Sequence, residues 1–528
     1  MDSKKMMVIA IVAVMVVAAA GVAIYYSNDD GNDDGPTVNM GFYAVDVKCK
    51  EFLDTVLIPE AKNLGINVTY ESYGPAAANT VKQEIDNGVT ENGKFDLIWG
   101  DLSPIAILVP NGEYRYMYDQ DWVSELSNSK YLTDGAEDMA FAGIEGYKAG
   151  TAAEFSNGQT MLIYNTDFNA YTVKIGTNVI DIPYNCVVFI NDGTVTGFLK
   201  VVPAGTGSTY AGVAQQISAS GITSTAGLES ALDSATAYDI DTVRSVVKAA
   251  NQGSVKGHLL YGLPSNFTEL LDWSKIYEGQ FTYPDPANTA ATFHTNLLMQ
   301  AMIFELEWNT AKNDWQVAAD KDANITKVNK VISDRAISSE ADFKTHFGYI
   351  FKYLEDLDPY TNKTIGYLDN DQISGINGKV VGNTAADKDF SDATVMIAMT
   401  TVASLDMRTD QYNYPLGTFS LDTSVKSQYY LTIPKNSSNK EAAMSIANLL
   451  LDPQIQAKWF EMTGNGYNID TTMTADGDTE TIYETYFGFT SSWELYLPQD
   501  RLIDVTVNGV VTGLAAYMIA AWTSEIGS

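Results

Sequence analysis

Aromatic side chains stand beside polar groups at four places where predicted strands end, namely Phe42-Tyr43, Trp99-Gly100-Asp101, Tyr164-Asn165 and 281–286 (FTYPDP). Aromatic faces and placed carboxylates bind small solutes by stacking, by hydrogen bonds and, for a cation, by cation–π attraction. The predicted ligand-binding residues are Tyr43, Trp99, Gly100, Asp101, Tyr164, Tyr283 and Asp285. The alternative that these rings only pack cores stays open, because the chain contains 31 tyrosines.

The sequence contains no motif that combines the groups needed for catalysis or for metal binding. Its three histidines, His258, His294 and His346, have no partner at a short spacing. H-E-x-x-H, G-x-S-x-G and a close cysteine pair are absent, and the segment 375–379 (GINGK) is too short for a phosphate loop. We therefore predict no catalytic residue, no metal and no cofactor, and a protein that is not an enzyme.

The first third of the chain alternates between strand and helix patterns. Strands are predicted at 38–44, 66–73 and 94–100 (KFDLIWG), and helices at 50–64 and 79–87. This order is typical of a parallel α/β unit with crossover helices, whose strands are covered on both faces. Ligands of such sheets bind at the carboxyl ends of the strands, where Tyr43, Trp99 and Asp101 stand.

The rest of the chain combines a β-rich segment with helices. A buried strand is predicted at 159–165, and 171–257 is predicted to be a small β-rich insertion. Its hairpin turn is expected at Asn191-Asp192-Gly193, and its helical tail at 225–250. Further elements are predicted as helices 293–306, 341–357, 440–460 and 505–522 and a strand 395–403.

A chain of 528 residues is long enough to require more than one core. We predict an α/β fold of two or more folded units, preceded by an anchor at 1–26 and an acidic linker at 27–37.

The composition is strongly acidic, with 66 Asp and Glu against 32 Lys and Arg and a net charge of −34. Such a surface repels phosphate backbones, so we expect no nucleic-acid partner. It weakly favours a cationic or amine-bearing ligand, although solubility alone also accounts for this charge.

The N-terminus has the pattern of a membrane anchor. Lys4 and Lys5 precede an uncharged segment, 6–26, that is long enough to span a bilayer. The lysines are expected to stay inside and the main domain outside, which predicts a single-pass protein of the cell membrane. A removed signal peptide is the alternative. The acidic segment 27–36 is predicted to be a solvated tether.

Two cysteines, Cys49 and Cys186, are far apart in the sequence. A disulfide is permitted outside the cell, but small buried thiols are the more frequent case. The sequence leaves this choice open.

Four blocks in order resemble one known family. They are 96–101 (DLIWGD), 264–273 (PSNFTELLDW) with 279–284 (GQFTYP), 433–436 (IPKN) with 449–456 (LLLDPQIQ), and Glu145-Gly146-Tyr147. The chain resembles the extracellular solute-binding subunit of an ABC importer, of the two-lobed periplasmic-binding-protein type II. It is similar to the branch that groups thiamine-, polyamine- and iron-binding proteins. The resemblance extends from Val38 to about Leu502, outside the insertion.

The resemblance implies a fold of two α/β lobes joined by a hinge, divided into 38–150 lobe 1, 151–394 lobe 2 with the insertion 171–257, 395–420 return strands and hinge, and 421–528 a C-terminal part that completes both lobes. It also implies a monomer whose lobes close over a small solute, thiamine-like or otherwise, and dock on an ABC permease. Trp99 and Tyr283 would be ring platforms, Asp101 and Asp285 polar anchors, and Tyr43 and Tyr164 further walls. The segment 100–103 (GDLS) departs from the family's Asn-Gly-Glu-Asn-like loop, so the ligand chemistry there is expected to differ. The alternatives are a membrane-anchored adhesin or structural protein acting through the insertion, and an extracellular hydrolase using scattered carboxylates.

Overall fold

The computed structural model describes residues 35–42, 47–72, 74–100, 102–110, 113–132, 148–166, 168–209, 215–243, 245, 257–283, 292–333, 337–362, 397–401, 416–419, 421–463, 466–467, 494–495, 505–507, 510–512 and 514–526. Within these ranges, no helix has the length and apolar character needed to cross a membrane. The predicted anchor at 6–26 lies outside the described residues.

The fold is a mixed α/β fold. Its strands are β1 (Thr37–Phe42), β2 (Asn67–Ser72), β3 (Leu97–Gly100), β4 (Ala152–Asn165), β5 (Thr172–Ile175), β6 (Asn178–Asp181), β7 (Cys186–Asn191), β8 (Thr194–Val202), β9 (Ile217–Ser218), β10 (Ala237–Asp239), β11 (Gly257–Tyr261), β12 (Leu306–Asn309), β13 (Asp314–Val317), β14 (Ile397–Thr401), β15 (Leu416–Phe419), β16 (Ser424–Thr432), β17 (Gly466–Tyr467), β18 (Glu494–Leu495), β19 (Val505–Val507) and β20 (Val510–Thr512). Its helices are α1 (Val47–Phe52), α2 (Ile58–Asn63), α3 (Gly74–Asp86), α4 (Leu102–Leu108), α5 (Thr225–Ser234), α6 (Phe267–Ile276), α7 (Thr292–Glu305), α8 (Lys321–Ser333), α9 (Glu340–Phe347), α10 (Tyr349–Leu357), α11 (Lys440–Leu450), α12 (Pro453–Thr463) and α13 (Leu514–Glu525).

Strands β1, β2 and β3 form the parallel part of the main sheet, with β1 between the other two. Along β3, Leu97 and Trp99 join the core under α1, α11 and α12, whereas Ile98 joins the core under α3 and α4. Successive side chains of a strand point to opposite faces, so this apolar strand is covered on both sides. The predicted strand, helix, strand, helix, strand order is thus observed, and we call this unit lobe 1.

One long strand, β4, connects lobe 1 with a second unit. Its residues 152–159 pair antiparallel with β16, which also pairs with β3 of lobe 1. Its residues 160–165 pair antiparallel with β14 and β15. Residues 162–164 of β4 pair with both β14 and β15, so these two strands lie on opposite sides of β4. Strand β16 also lies on the side opposite to β14, so β15 and β16 share one side of β4. Strand β4 and the β15–β16 segment are therefore the crossing strands.

The second unit, which we call lobe 2, is largely helical. Helices α6, α7, α9, α10 and α13 share one apolar core with residues of β4 and β15. A hairpin, β12–β13, packs against α10 and places Trp315 on Tyr353, with ring centroids 4.9 Å apart.

Strands β7 to β10 of the predicted insertion form a second sheet with β11, in the order β10-β8-β7-β11, with β9 beside β8. Strand β11 extends past the predicted end at 257 to Tyr261, and β5 and β6 pair as a separate hairpin. Asp192 and Gly193 both have positive φ at the β7–β8 turn, which confirms the predicted hairpin. One face of the sheet, with Val188 and Phe198, packs under α5. The other face, with Val187 and Leu199, belongs to the core of lobe 2. The insertion is therefore built into lobe 2.

Several predicted helices differ from the observed ones. The predicted tail 225–250 is interrupted, because α5 ends at Ser234 and the chain pairs with β8 as β10 before helical backbone resumes at 240–243. The predicted helix 440–460 is two helices, since Pro453 lacks an amide hydrogen and Asp452 accepts a hydrogen bond from the N–H of Gln454 at the new helix start.

Two further predicted helices differ from the observed elements. The predicted helix 341–357 breaks at Gly348 into α9 and α10. The predicted helix 505–522 is a hairpin, β19–β20, followed by α13. Cys49 and Cys186 do not form a disulfide with each other, and both are buried, Cys49 in lobe 1 and Cys186 in the insertion.

Candidate functional site

The three parallel strands of lobe 1 end at Phe42, Ser72 and Gly100, which we call the carboxyl edge. Because the strands run in the same direction, these ends lie at the same edge of the sheet, where ligands of open α/β sheets bind. Tyr43 and Asp101 follow two of these ends directly in the sequence. Both residues lie outside the described part of the chain, as does Asp285.

Trp99 lies beneath the carboxyl edge, and its side chain is only 2% exposed. One ring face stacks on Phe42, with centroids 4.4 Å apart and an interplanar angle of 14°. The other face stacks on Tyr429, at 5.0 Å and 25°. Trp459 contacts it edge-on at 5.8 Å. Other rings cover both faces of Trp99, so neither face is open to a solute in this arrangement. Its direct contact with a solute stays a prediction.

Tyr429 is the outermost ring of this stack, since it is only partly buried whereas Phe42 is fully buried. It belongs to β16, one residue before Tyr430, which is buried in the core on the opposite face of the sheet. Sequence reasoning missed Tyr429. The sequence signal that could have revealed it is the adjacent pair Tyr429-Tyr430. Neighbouring residues of a strand occupy opposite faces, so only one ring of such a pair can point into a given core.

A bulge lies on β4 directly opposite this ring. Tyr429 pairs with Ser156 and Tyr430 pairs with Glu154, so Phe155 is an extra residue on β4. The ring of Phe155 packs toward Trp99, with centroids 6.4 Å apart. Bulges bend a strand and redirect its side chains, and they are frequent near binding sites.

Two buried polar side chains flank the bulge. Glu154 is 2% exposed and Ser156 is fully buried. Among the described residues, none forms a hydrogen bond with the Ser156 hydroxyl. An unsatisfied buried hydroxyl costs roughly 1–3 kcal/mol, which a ligand or a water molecule would offset. Sequence reasoning missed both residues. The neighbours of a strand residue can be identified only when the strand register and the position of the bulge are known.

Tyr164 lies in lobe 2, far from Trp99. It is nine residues beyond Phe155 on the same strand, which corresponds to about 30 Å at the rise of a β-strand. Its ring meets Phe419 edge-on at 5.9 Å, and burial raises the pKa of its hydroxyl. The structure therefore does not bring Tyr164 and Trp99 together.

Tyr283 is fully buried in the core of lobe 2, beside Phe281 at 6.2 Å. Its predicted role as a ring platform also stays a prediction. Of the predicted residues, Trp99 and Gly100 are thus the ones that the described structure places at the carboxyl edge.

The groups that meet at the carboxyl edge are suited to binding. An aromatic ring, a buried hydroxyl and the ends of three strands offer stacking and hydrogen bonds to a small molecule. No cluster of three or more His, Cys, Asp or Glu residues with the geometry of a metal site occurs in the described ranges.

No protein-family model matches the sequence, and no curated protein matches it. Among solved structures, the chain is similar to an ABC transporter from Clostridium perfringens ATCC 13124, with 11% identity, a TM-score of 0.46 and coverage of 93% of this chain and 99% of that one. It is similar to an ABC transporter substrate-binding protein from Bradyrhizobium japonicum USDA 110, with 11% identity, a TM-score of 0.46 and coverage of 93% and 100%. It is also similar to the PBP AttC of Agrobacterium tumefaciens C58 in an open unliganded conformation, with 11% identity, a TM-score of 0.45 and coverage of 93% and 100%.

Proposed function

We propose that the chain binds a small solute between its two lobes and delivers it to an ABC permease. The observation that carries this proposal is the path of β4. Over 152–159 it pairs with β16, the neighbour of β3 in lobe 1, and over 160–165 it pairs with β14 and β15, whose Phe419 packs in the core of lobe 2. Two lobes joined by continuous strands close around a ligand when a few residues of those strands absorb the rotation.

Two irregularities in the crossing strands are suitable hinge positions. One is the bulge at Phe155 on β4, and the other is the interruption between β15 and β16, of which residues 421–423 are described. The ladder is already disrupted at both positions, so a rotation there breaks few further ladder hydrogen bonds.

The solute would contact Tyr429 and Ser156 at the carboxyl edge, together with the predicted residues Tyr43, Gly100 and Asp101. A carboxylate at Asp101 and a chain charge of −34 favour a cationic or amine-bearing solute, thiamine-like compounds among them. We further propose a monomer outside the cell, anchored by residues 6–26.

The test is a thermal-shift screen of the full chain with thiamine, polyamines, metal chelates and small anions, followed by X-ray scattering with the compound that stabilises most. A ligand that binds only the folded protein raises its melting temperature. We expect a smaller radius of gyration in its presence. No stabilising compound across a broad metabolite panel, or a stabilised protein of unchanged dimensions, would contradict binding by lobe closure.

Adhesion through the insertion is a second candidate function. The observation that favours it is an exposed apolar residue on the β5–β6 hairpin. Val179 on this hairpin is 56% exposed. Deletion of 171–257 is unsuitable as a test, since it would remove Val187 and Leu199 from the core of lobe 2. Val179→Asp is the sharper variant, with Thr172→Asp on the same hairpin as its control. Adhesion predicts that cell or surface attachment falls with Val179→Asp alone, whereas solute binding predicts no effect of either variant.

A further inference from the structure

The chain contains five Asn-x-Ser/Thr sequences, the pattern that accepts an N-linked glycan outside the cell. The reacting atom of such a sequence is the side-chain nitrogen, Nδ2, which must be able to leave its hydrogen bonds and reach a sugar donor. In this structure the five asparagines differ in what that nitrogen contacts. They are Asn67, Asn266, Asn324, Asn362 and Asn436.

Two of these asparagines are core residues. Asn324 is 4% exposed, and its Nδ2 donates to the carbonyl oxygens of Phe304 and Leu306 at 2.7 and 3.1 Å. Asn436 is fully buried, and its Nδ2 donates to Glu84 Oε2 at 2.9 Å. A sugar at either nitrogen would have to replace a buried hydrogen bond and enter the core, so neither can be modified in the folded chain.

Two others hold the local backbone. Asn266 is the N-cap of α6, where its Oδ1 accepts from the N–H of Glu269 at 2.9 Å and its Nδ2 donates to the Ser265 hydroxyl at 3.4 Å. The Nδ2 of Asn362 donates to the carbonyl oxygen of Gly279 at 3.0 Å. A sugar at either position would compete with the contact that fixes a helix start or a turn.

Asn67 has neither kind of contact. It is the first residue of β2, its side chain is partly exposed, and among the described residues its Nδ2 has no hydrogen-bond partner. Thr69 is exposed and lies on the same face of the strand, because side chains two residues apart in a strand point the same way. The Thr69 hydroxyl donates to Asn39 Oδ1 at 3.2 Å, at an exposed position where water can replace this bond.

The position of β2 in the sheet also makes this sequence accessible. Within the described part of the chain, β2 is an edge strand that pairs with β1 alone. The turn before it is exposed as well, since Leu64 is 55% exposed and Gly65 has a φ of 71°. An enzyme can therefore approach Asn67 along the open edge of the sheet.

We propose that Asn67 is the N-glycan acceptor of the folded chain, with a lipid-linked oligosaccharide phosphate as the donor. The proposal rests on the location outside the cell proposed above. In the transfer, Nδ2 forms a bond to the anomeric carbon of the sugar, and the bond from that carbon to the phosphate oxygen breaks. The phosphate leaves with the electron pair, and a base of the transferase takes one amide proton. The step involves no oxidation or reduction.

A glycan at Asn67 has a physical consequence for the sheet. The outer side of an edge strand carries backbone groups that can pair with a second chain. A bulky hydrated group at the first residue of β2 hinders that approach, so the modification protects the edge against association.

The test is mass spectrometry of peptides from the full chain, purified from the membranes of its own cells. We expect a sugar on the peptide that contains Asn67 and on none of the other four asparagines. Asn67→Gln and Thr69→Val should each lose the modification, whereas Thr69→Ser should retain it because it keeps the hydroxyl group. Asn63→Gln, which changes an exposed asparagine outside any such sequence, is the control and should leave the modification unchanged.

An unmodified Asn67 in the wild type would overturn the proposal, and so would a glycan on any of the other four asparagines. The wild-type peptides decide this even if a variant fails to fold. Protease added to intact cells shows which premise has failed. An unmodified chain that is digested contradicts the acceptor alone, whereas one that is protected contradicts the location as well. These measurements use no solute, so their failure is separate from a failure of solute binding.

Discussion

Trp99 is enclosed between Phe42 and Tyr429, whose rings stack on its two faces at 4.4 and 5.0 Å. This arrangement makes Trp99 part of the core of lobe 1, with Tyr429 as the ring nearest to solvent. The crossing strand β16 supplies Tyr429, so the aromatic stack reaches from lobe 1 to the boundary between the lobes.

Replacing Trp99 should therefore affect stability first. We expect Trp99→Ala to lower the free energy of unfolding by about 3–5 kcal/mol, because it leaves a large cavity among aromatic rings. Denaturant unfolding measures this change. Trp308→Ala is the matched control, since Trp308 is 41% exposed. Equal effects of the two substitutions would show that Trp99 is not a core residue.

Tyr429 and Tyr164 should differ in their effect on solute binding. Once the thermal-shift screen has provided a solute, we expect Tyr429→Ala to weaken its binding about tenfold or more, by loss of the stacking surface. Tyr429→Phe should retain most of the affinity because it keeps the ring. Calorimetry measures both.

Tyr164→Ala is the distant control, since Tyr164 lies about 30 Å along β4 from Phe155. We expect unchanged affinity for this variant. A tenfold loss with Tyr164→Ala would instead support its predicted role as a wall of the site.

The difference in stability between the wild-type protein and Glu305→Gln should change with pH, because only the wild type carries an ionisable group at this position. Burial raises the folded-state pKa of Glu305 to about 7, above the ordinary value of 4.5, so the folded state binds the proton more tightly. The stability due to this proton is complete below pH 4.5 and is lost as the pH rises through 7.

The free energy of unfolding of the wild type, relative to Glu305→Gln, should thus fall by roughly 3 kcal/mol between pH 4.5 and pH 7. Urea unfolding of both proteins at each pH measures the difference, in which the contributions of other groups cancel. A difference that stays constant over this range would show that Glu305 titrates at its ordinary value.

The two cysteines should be unreactive in the folded protein. Cys49 and Cys186 are buried in different cores, and burial raises the pKa of the Cys186 thiol, so the reactive thiolate is scarce and inaccessible. We expect no labelling by a thiol reagent under native conditions and two labelled sites in denaturant. A reducing agent should leave the melting temperature unchanged, and a decrease would indicate a disulfide.

Much of lobe 1 could be predicted from residue patterns. The segment from Phe95 to Gly100 has apolar residues at every position but Asp96, which is typical of a strand covered on both faces. In the structure its side chains pack in two cores, one on each face. The β7–β8 turn followed from Asp192-Gly193, because two successive residues with positive φ favour that pair. Helix ends were less predictable, since Pro453 and Gly348 interrupt helices whose apolar periodicity continues past them.

The sequence by itself determined local choices in lobe 1 and at the β7–β8 turn: which segments of lobe 1 are strands, where that turn lies, and that aromatic and acidic residues follow strand ends. The reason is that backbone geometry and side-chain periodicity are properties of neighbouring residues. Only the tertiary structure decided that Tyr429 covers Trp99, that Ser156 lies opposite it, and that Tyr164 lies at the far end of β4. Those relations depend on strand order, register and a bulge, which are set by packing between residues as distant in sequence as Phe42 and Tyr429.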